Sequence, residues 1–355
     1  MKPILIHNQK GIALIVTLAV TTVLVAISIA LHQKMDAAYD ASIGVHRHRT
    51  MSQMATSRIH AAMAILVKDR LETKTDSLQE DWADPEKVAE ALSEISFDEG
   101  KVSVLISDER SRIQVNALVA LPGHDFNTAQ EHLWIRLFES LVNHYEPFED
   151  LEYNTLIESL KDWIDSEDND AITGLNGAES SYYMDLEPPY SCRNAPLDHL
   201  GDLSRIKGFP PDLFSGGDIP MLSDLLTVHG AVSIDAQGYT FDGKININTA
   251  GPLALSAILP DGYESYAQDM VDYRLESDSE GYINDLSSLS WYKDIPGLED
   301  IGINADIMTN LSDLFRITSM AVLEDAVLTT VAVVQREAID KTGNWRCKVL
   351  YWETK

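Results

Sequence analysis

The sequence predicts an α+β protein. A long N-terminal helix, transmembrane in its first half, packs on an antiparallel sheet, and a large α-helical domain is inserted into that sheet. Three observations carry this. Twenty residues, Ile12 to Leu31, hold no charged side chain and run on into an alanine-rich segment. Strand-like runs lie on both sides of a long middle region, from Lys101 and again from Leu314. The region between, 128–309, is helix-rich and punctuated by proline and glycine.

The apolar run comes first. A helix of twenty residues is about 30 Å long, enough to cross a bilayer. Lys2 and Lys10 precede it, which places the N-terminus in the cytoplasm and the remainder on the far side. The run ends Leu31-His32-Gln33-Lys34, without the small residues that follow a cleavable secretory core. From Met35 to Arg70 there is no proline and a single glycine, Gly44. Ala55, Ile59, Ala62, Met63, Leu66 and Val67 recur at helical spacing, so the helix continues and its apolar stripe needs a sheet to cover it.

After a polar, irregular stretch from Glu72 to Pro85, Lys101-Val102-Ser103-Val104-Leu105-Ile106 reads as a strand. Arg112-Ile113-Gln114-Val115-Asn116 is its expected partner across a polar turn. Leu314–Leu323, Ala326–Arg336 and Trp345–Trp352 form a C-terminal meander suited to packing one face on a helix. Helices are expected at Thr128–Tyr145 and Tyr153–Ile164, with shorter segments near 197–206, 253–258 and 268–275. A helical block between strands of one sheet fits domain insertion, which is tolerated where chain ends lie close together. The expected organisation is a leader at 1–11, the span at 12–31, the first part of the α+β domain at 32–127, the inserted domain at 128–309, and the closing strands at 310–355.

Charge narrows the function classes. Lys plus Arg is 27 against 56 Asp plus Glu, a formal charge of −29. Without residues 1–11 the balance is 25 against 56, or −31. Such a surface repels phosphate backbones and suits divalent cations or basic partners, so nucleic acid is not an expected partner. His46, His48 and His60 lie on the long helix and are not grouped with a nucleophile or a metal triad. No GxSxG, HExxH or phosphate-loop pattern occurs, and an enzyme is not expected. Cys192 and Cys347 lack CxxC spacing. They either pair in an oxidising compartment or remain separate buried thiols.

Lys10-Gly11 followed by the apolar run resembles the class III leader of type IV pilins and pseudopilins. The resemblance implies cleavage by a prepilin peptidase after Gly11, methylation of the new N-terminus at Ile12, and a pilin-like fold. In that family the fifth residue of the mature chain is usually glutamate, whose carboxylate neutralises a neighbouring subunit's terminal amine; here Val16 stands there. An unpaired buried charge is costly, so a subunit without that carboxylate suits the first place in an assembly.

Three further passages resemble the K-type minor pseudopilins of type II secretion systems. One is Ser107-Asp108-Glu109-Arg110-Ser111-Arg112-Ile113-Gln114-Val115-Asn116-Ala117-Leu118-Val119. The second runs Asp162-Trp163-Ile164-Asp165, Gly177-Ala178-Glu179, Tyr182-Tyr183, Pro188-Pro189-Tyr190 and Asn194-Ala195-Pro196-Leu197. The third is Lys244-Ile245-Asn246-Ile247-Asn248-Thr249-Ala250. This third passage and Arg205-Ile206-Lys207-Gly208-Phe209 are similar to helix-hairpin-helix modules, but their surroundings are acidic and they read as packing modules. The K-type resemblance implies a minor pseudopilin at the tip of the pseudopilus, helping to initiate the filament and export folded proteins. Its implied place is the bacterial inner membrane, with its C-terminal part in the periplasm. Implied partners are minor pseudopilins of the I and J types, the major pseudopilin, prepilin peptidase and secreted cargo. The rival reading is a minor pilin of a type IV pilus or competence system.

The second passage has chemistry of its own. Asp162, Asp165, Glu167, Asp168, Asp170 and Glu179 crowd a glycine-bearing loop, a supply of hard oxygen ligands of the kind Ca²⁺ takes. An EF-hand frame starting at Asp168 fails at Ile172 and Thr173, so the loop is not an EF-hand. The family resemblance implies calcium, with Asp165, Asp168, Asp170 and Glu179 as ligands and Glu167 in reserve. Ser180 and Ser181 stand where relatives often carry acids, which disfavours a second ion.

Overall fold

The computed structural model describes residues 10–145, 148–166, 171–209, 222–234, 238–279, 281–339 and 343–355. Helix α1 (Lys10–Glu72) is one continuous rod. Its first part, including Ile12, Val16 and Leu31, is exposed, with nothing packed over it among the described residues. This is the one described helix long and apolar enough to cross a membrane.

The outer half of α1 buries Met51, Met54, Ala55, Ile59, Ala62 and Leu66, a stripe at three- and four-residue spacing. It lies on a four-stranded antiparallel sheet built from β1 (Lys101–Asp108) and three C-terminal strands at Leu314–Leu323, Ala326–Ala338 and Trp345–Thr354. Ile106, Phe315, Ile317, Ala332 and Val334 meet the helix stripe. Trp82 closes the end of this core edge-on to Phe315, with ring centroids 5.2 Å apart. Short α2 (Pro85–Ala91) is capped by Asp84, whose side chain accepts from the Glu86 and Lys87 amides.

Sequence reading and structure part at the expected hairpin. The partner of β1 is the strand at Leu314–Leu323, with Lys101 opposite Val322 and Asp108 opposite Phe315. Ile113–Gln114 is instead a two-residue strand, β2, running parallel to β3 (Leu226–Thr227). Ile113, Val115, Leu118 and Val119 are buried in the core of the helical block. That block therefore begins near Ile113 rather than at 128.

The helical block is a second apolar core, distinct from the α1–sheet core. Helices α3 (Thr128–His144), α4 (Tyr153–Ile164), α5 (Ser180–Met184), α6 (Leu222–Leu225), α7 (Pro252–Ile258) and α8 (Ala267–Leu275) build it. Two-stranded pairs β4–β5 (Ala231–Ser233, Tyr239–Phe241), β6–β9 (Ile245–Asn246, Met308–Thr309) and β7–β8 (Ser277–Asp278, Gly281–Tyr282) pin its loops. The sheet strands that follow are β10 (Leu314–Leu323), β11 (Ala326–Ala338) and β12 (Trp345–Thr354).

The two cores meet at a polar joint. At the end of β1, buried Asp108 accepts from Asn246 Nδ2 (2.8 Å), Thr249 Oγ1 (2.6 Å), Ser312 Oγ (2.6 Å) and the Arg110 amide (2.7 Å). Glu109, fully buried, accepts from Arg316 (2.7 Å), Arg112 (2.8 Å) and Thr227 Oγ1 (2.7 Å). Arg110 reaches Asp242 (2.8 Å) and Asp313 (2.6 Å). Arg336 ties the end of α1 to the same place, donating to Leu66 O, Asp69, Asp76 and Ser312 O.

Burial alone would raise the Glu109 carboxyl, but the Arg316 hydrogen bond and the Arg112 and Arg316 charges hold it below its ordinary value of 4.5. Its contribution to stability is present above that value and is lost as pH falls through the depressed folded value. Glu109→Gln is expected to cost about 3 kcal/mol at neutral pH, because it leaves two arginines without their anion. Urea unfolding from pH 7 to pH 3 should show the gap to wild type narrowing below about pH 4.5. A gap that stays constant over this range would contradict the assignment.

Candidate metal centre

The second motif passage of the sequence, with its Asp-Trp-x-Asp and Gly-Ala-Glu segments, converges on one pocket of the helical block. Asp162 sits in the last turn of α4, Asp165 caps that helix, and Glu179 precedes α5. All three are buried, and one carboxylate oxygen of each lies within 4.8 Å of the other two. Asp162 and Asp165 share a face of α4 because they are three residues apart.

The loop that returns to Glu179 is fitted to these acids. The Thr173 amide donates to both Asp162 oxygens at 3.1 Å. The Asn176 amide donates to Glu158 (2.7 Å), and Ser159 Oγ donates to Asn176 O (3.2 Å). A Cβ at Gly177 would collide with Asp162 Oδ2 and with the Thr173 backbone, so only glycine lets the loop approach. Lys207 Nζ donates to the carbonyls of Asn176 (2.9 Å) and Gly177 (3.3 Å), which makes the Arg205–Phe209 module a packing element. Burial pushes the Asp162 carboxyl up, against the Thr173 hydrogen bonds.

Beside the acids stands an aromatic stack. Trp163 meets Tyr183 edge-on at 5.0 Å, Tyr183 stacks on Tyr190 at 5.4 Å, and the Arg205 guanidinium lies 4.9 Å from the Tyr190 ring centre. The paired-tyrosine and Pro-Tyr positions thus frame the acidic pocket, and Asn116 ties the frame to the joint. Its Nδ2 donates to Leu197 O (3.0 Å) and Val228 O (3.1 Å), and its Oδ1 accepts from the Leu197 amide (2.7 Å).

Of the expected ligands, Asp165 and Glu179 are brought together; Asp168 and Asp170, with Glu167, lie outside the described residues. Asp162, which is not in the expected ligand set, completes the described trio. Its signal was the helical spacing to Asp165. Lys161 Nζ pairs with Asp165 at 2.7 Å. Three buried carboxylates whose oxygens converge form a hard, anionic donor set of the kind that fits a divalent cation bound by oxygen. A second acidic group, Asp69, Asp76 and Glu80, is different. Arg336, the Ser312 amide, the Ser77 amide and Trp82 Nε1 already serve its carboxylates.

The cysteines do not pair. Cys192 is a free thiol in the helical block, its Sγ 3.5 Å from Asp162 O, and Cys347 is a free thiol on β12, 3.6 Å from Met63 O. They belong to different cores, so the disulfide considered from the sequence is not formed. Burial pushes the thiols up, to about 12 and about 11. Gly11 and Ile12 lie in the exposed first turns of α1.

Comparison with known proteins adds to this geometry. A family model described as type II secretion system (T2SS), protein K matches residues 111–216, a stretch that contains the acidic trio and the aromatic stack. The type II secretion system protein K of Klebsiella pneumoniae is 26% identical over 261 residues, covering 72% of this chain and 71% of that protein. The protein of the same description from Aeromonas hydrophila is 24% identical over 215 residues, 59% of this chain and 62% of its own length. A chain in the crystal structure of the GspK-GspI-GspJ complex from enterotoxigenic Escherichia coli type 2 secretion system has the same fold. The TM-score is 0.60 at 16% identity, over 88% of this chain and 99% of that one.

Proposed function

Because this chain belongs to the K-protein family of type II secretion systems, whose members are minor pseudopilins, we propose that it caps the tip of the pseudopilus, helps to initiate the filament and so serves export of folded proteins across the outer membrane. The observation that carries this reading is the mounting of a bulky helical head, through a buried polar joint, on a pilin-like rod and sheet. A head of that size clashes within a repeating helical lattice but is admissible at its end. Val16 fits the same place, since an end subunit receives no partner amine on that side.

In this reading α1 from Ile12 is held in the inner membrane and packs with the helices of I- and J-type minor pseudopilins, above the major pseudopilin. The related complex, described as GspK-GspI-GspJ, supports the I- and J-type partners. The head stands in the periplasm, where secreted cargo passes. Prepilin peptidase cuts after Gly11 and the new amine of Ile12 is methylated. The rival pilin or competence reading loses its ground to the K-family match. Calcium is the proposed structural ion, held by Asp162, Asp165 and Glu179, with Asp168 and Asp170 the further ligands expected from the sequence. It would bring positive charge to the three converging carboxylates, and so fix the loop from Thr173 to Gly177 beside α4.

Two measurements test this. Intact-mass analysis of protein extracted from membranes that contain active prepilin peptidase should give a chain beginning at methylated Ile12; a chain still carrying Met1 contradicts the pilin class. Chelation with EGTA should lower the melting temperature of the periplasmic part by about 5–10 °C, the effect of removing an ion held at about a hundred times its Kd. Asp162→Asn should blunt that shift. A melting curve indifferent to chelator removes the calcium proposal.

A further inference from the structure

A cavity of about 210 Å³ opens at the polar joint, where the end of α1, the sheet and the helical block meet. Arg70 reaches it from α1, Trp345 from β12, and Lys244 and Thr309 from the block, while Arg110 and Arg336 lie in its wall. At about 30 Å³ per water, it has room for roughly seven waters. Four cations line it against two acids, Asp242 and Asp313, in a chain that carries 56 acids and 27 bases. The local balance is the reverse of the chain's.

The acids are already engaged. Arg110 lies 2.8 Å from Asp242 and 2.6 Å from Asp313, and Asp313 also accepts from Gln335 (3.0 Å) and from the Arg336 amide (2.6 Å). The Arg336 guanidinium gives its donors to Leu66 O, Asp69, Asp76 and Ser312 O. Two cations remain. Arg70 and Lys244 are both half-buried, and neither has an ion pair or a side-chain hydrogen bond among the described residues. The Arg70 guanidinium only lies over the Trp345 ring, 5.1 Å from its centre. Stacking uses the face of the guanidinium and leaves the N–H donors, which radiate in its plane, unengaged. A cation drawn partly out of water without a counter-charge is costly. Two of them on one cavity, in a chain rich in acids that could have paired with them, mark a place for a negative charge from outside the chain.

We propose that this cavity binds a small, doubly charged oxyanion, inorganic phosphate or a short dicarboxylate. Arg70 offers such an anion a fork of N–H donors, Lys244 a mobile ammonium, and Thr309 a hydroxyl. Two uncompensated positive charges match two negative ones. The volume lies below the roughly 300 Å³ at which sites for drug-sized ligands begin, so the ligand is small. An anion seated there touches α1, β12 and the helical block together, and its binding therefore tightens the joint between the two cores. The site needs only the joint and does not depend on what the chain assembles with.

Titration calorimetry tests this on the full chain in mild detergent, with inorganic phosphate and succinate as probes over about 0.15 M sodium chloride. Wild type should bind at one site per chain, and the tighter of the two probes identifies the ligand as phosphate or as a dicarboxylate. Arg70→Gln with Lys244→Gln should weaken that binding by about tenfold or more, the worth of one charge-assisted hydrogen bond. The melting temperature without anion should not change, since neither side chain has a bond to lose. Lys244→Glu alone, which sets a carboxylate in the cavity, should abolish binding, and it carries the test should the double variant fail to fold. No binding of either probe by wild type up to about 10 mM overturns the proposal. Binding that the variants retain at wild-type strength also overturns it, because it marks an adventitious ion only. Neither result bears on the pseudopilin reading, which the intact-mass measurement tests separately.

Discussion

The buried acid pair Asp108–Glu109 is the constraint on which the rest of the structure depends. Both carboxylates leave water at the point where β1 ends and the helical block begins, and a buried charge persists only where partners surround it. Asp108 gathers Asn246, Thr249 and Ser312, which come from the far end of the block and from its exit. Glu109 gathers Arg112 and Thr227 from the block and Arg316 from the sheet. Entry to and exit from the block are thereby held to one spot, which is how a long helical region can interrupt a sheet without disturbing β1–β10 pairing. Apolar packing alone would not specify this, because two greasy cores in contact can slide, whereas directional hydrogen bonds to a desolvated carboxylate cannot.

Function follows from that fixity. The pilin-like rod and sheet are one core, the head is another, and the joint makes their relation definite. The acidic trio Asp162, Asp165 and Glu179 organises the head locally, drawing the glycine-bearing loop against α4 and setting the edge of the aromatic stack around Trp163. Among the described residues nothing covers the first part of α1, whose length and apolar composition suffice to cross a membrane.

Much of this was legible in the sequence because its signals are periodic. The uncharged run to Leu31, the α1 stripe through Leu66 and the three C-terminal strands were readable, since burying one face of an element leaves its period in the residues. Helix α4 was readable at both ends. The partner of β1 was not. Arg112–Asn116 alternates as a strand does, but alternation says nothing of which strand it joins, and Ile113 and Val115 were claimed by the distant block through β3. The acidic pocket was half legible. Composition marked the loop, yet choosing Asp162 over its neighbours needed the turn of α4 that sets it beside Asp165. The buried asparagines Asn116 and Asn246 stood inside motif passages, but that they link those passages to one another is visible only in three dimensions.

The measurement that bears most directly on the joint is the distance distribution between spin labels at Leu175, exposed on the head, and Val327, exposed on the sheet, after Cys192 and Cys347 are replaced by serine. The account predicts one narrow distance in the otherwise wild-type chain and a broad distribution once Asp108 and Glu109 are both changed to alanine, with α1 and the sheet still folded. A broad distribution with the two acids intact would contradict it.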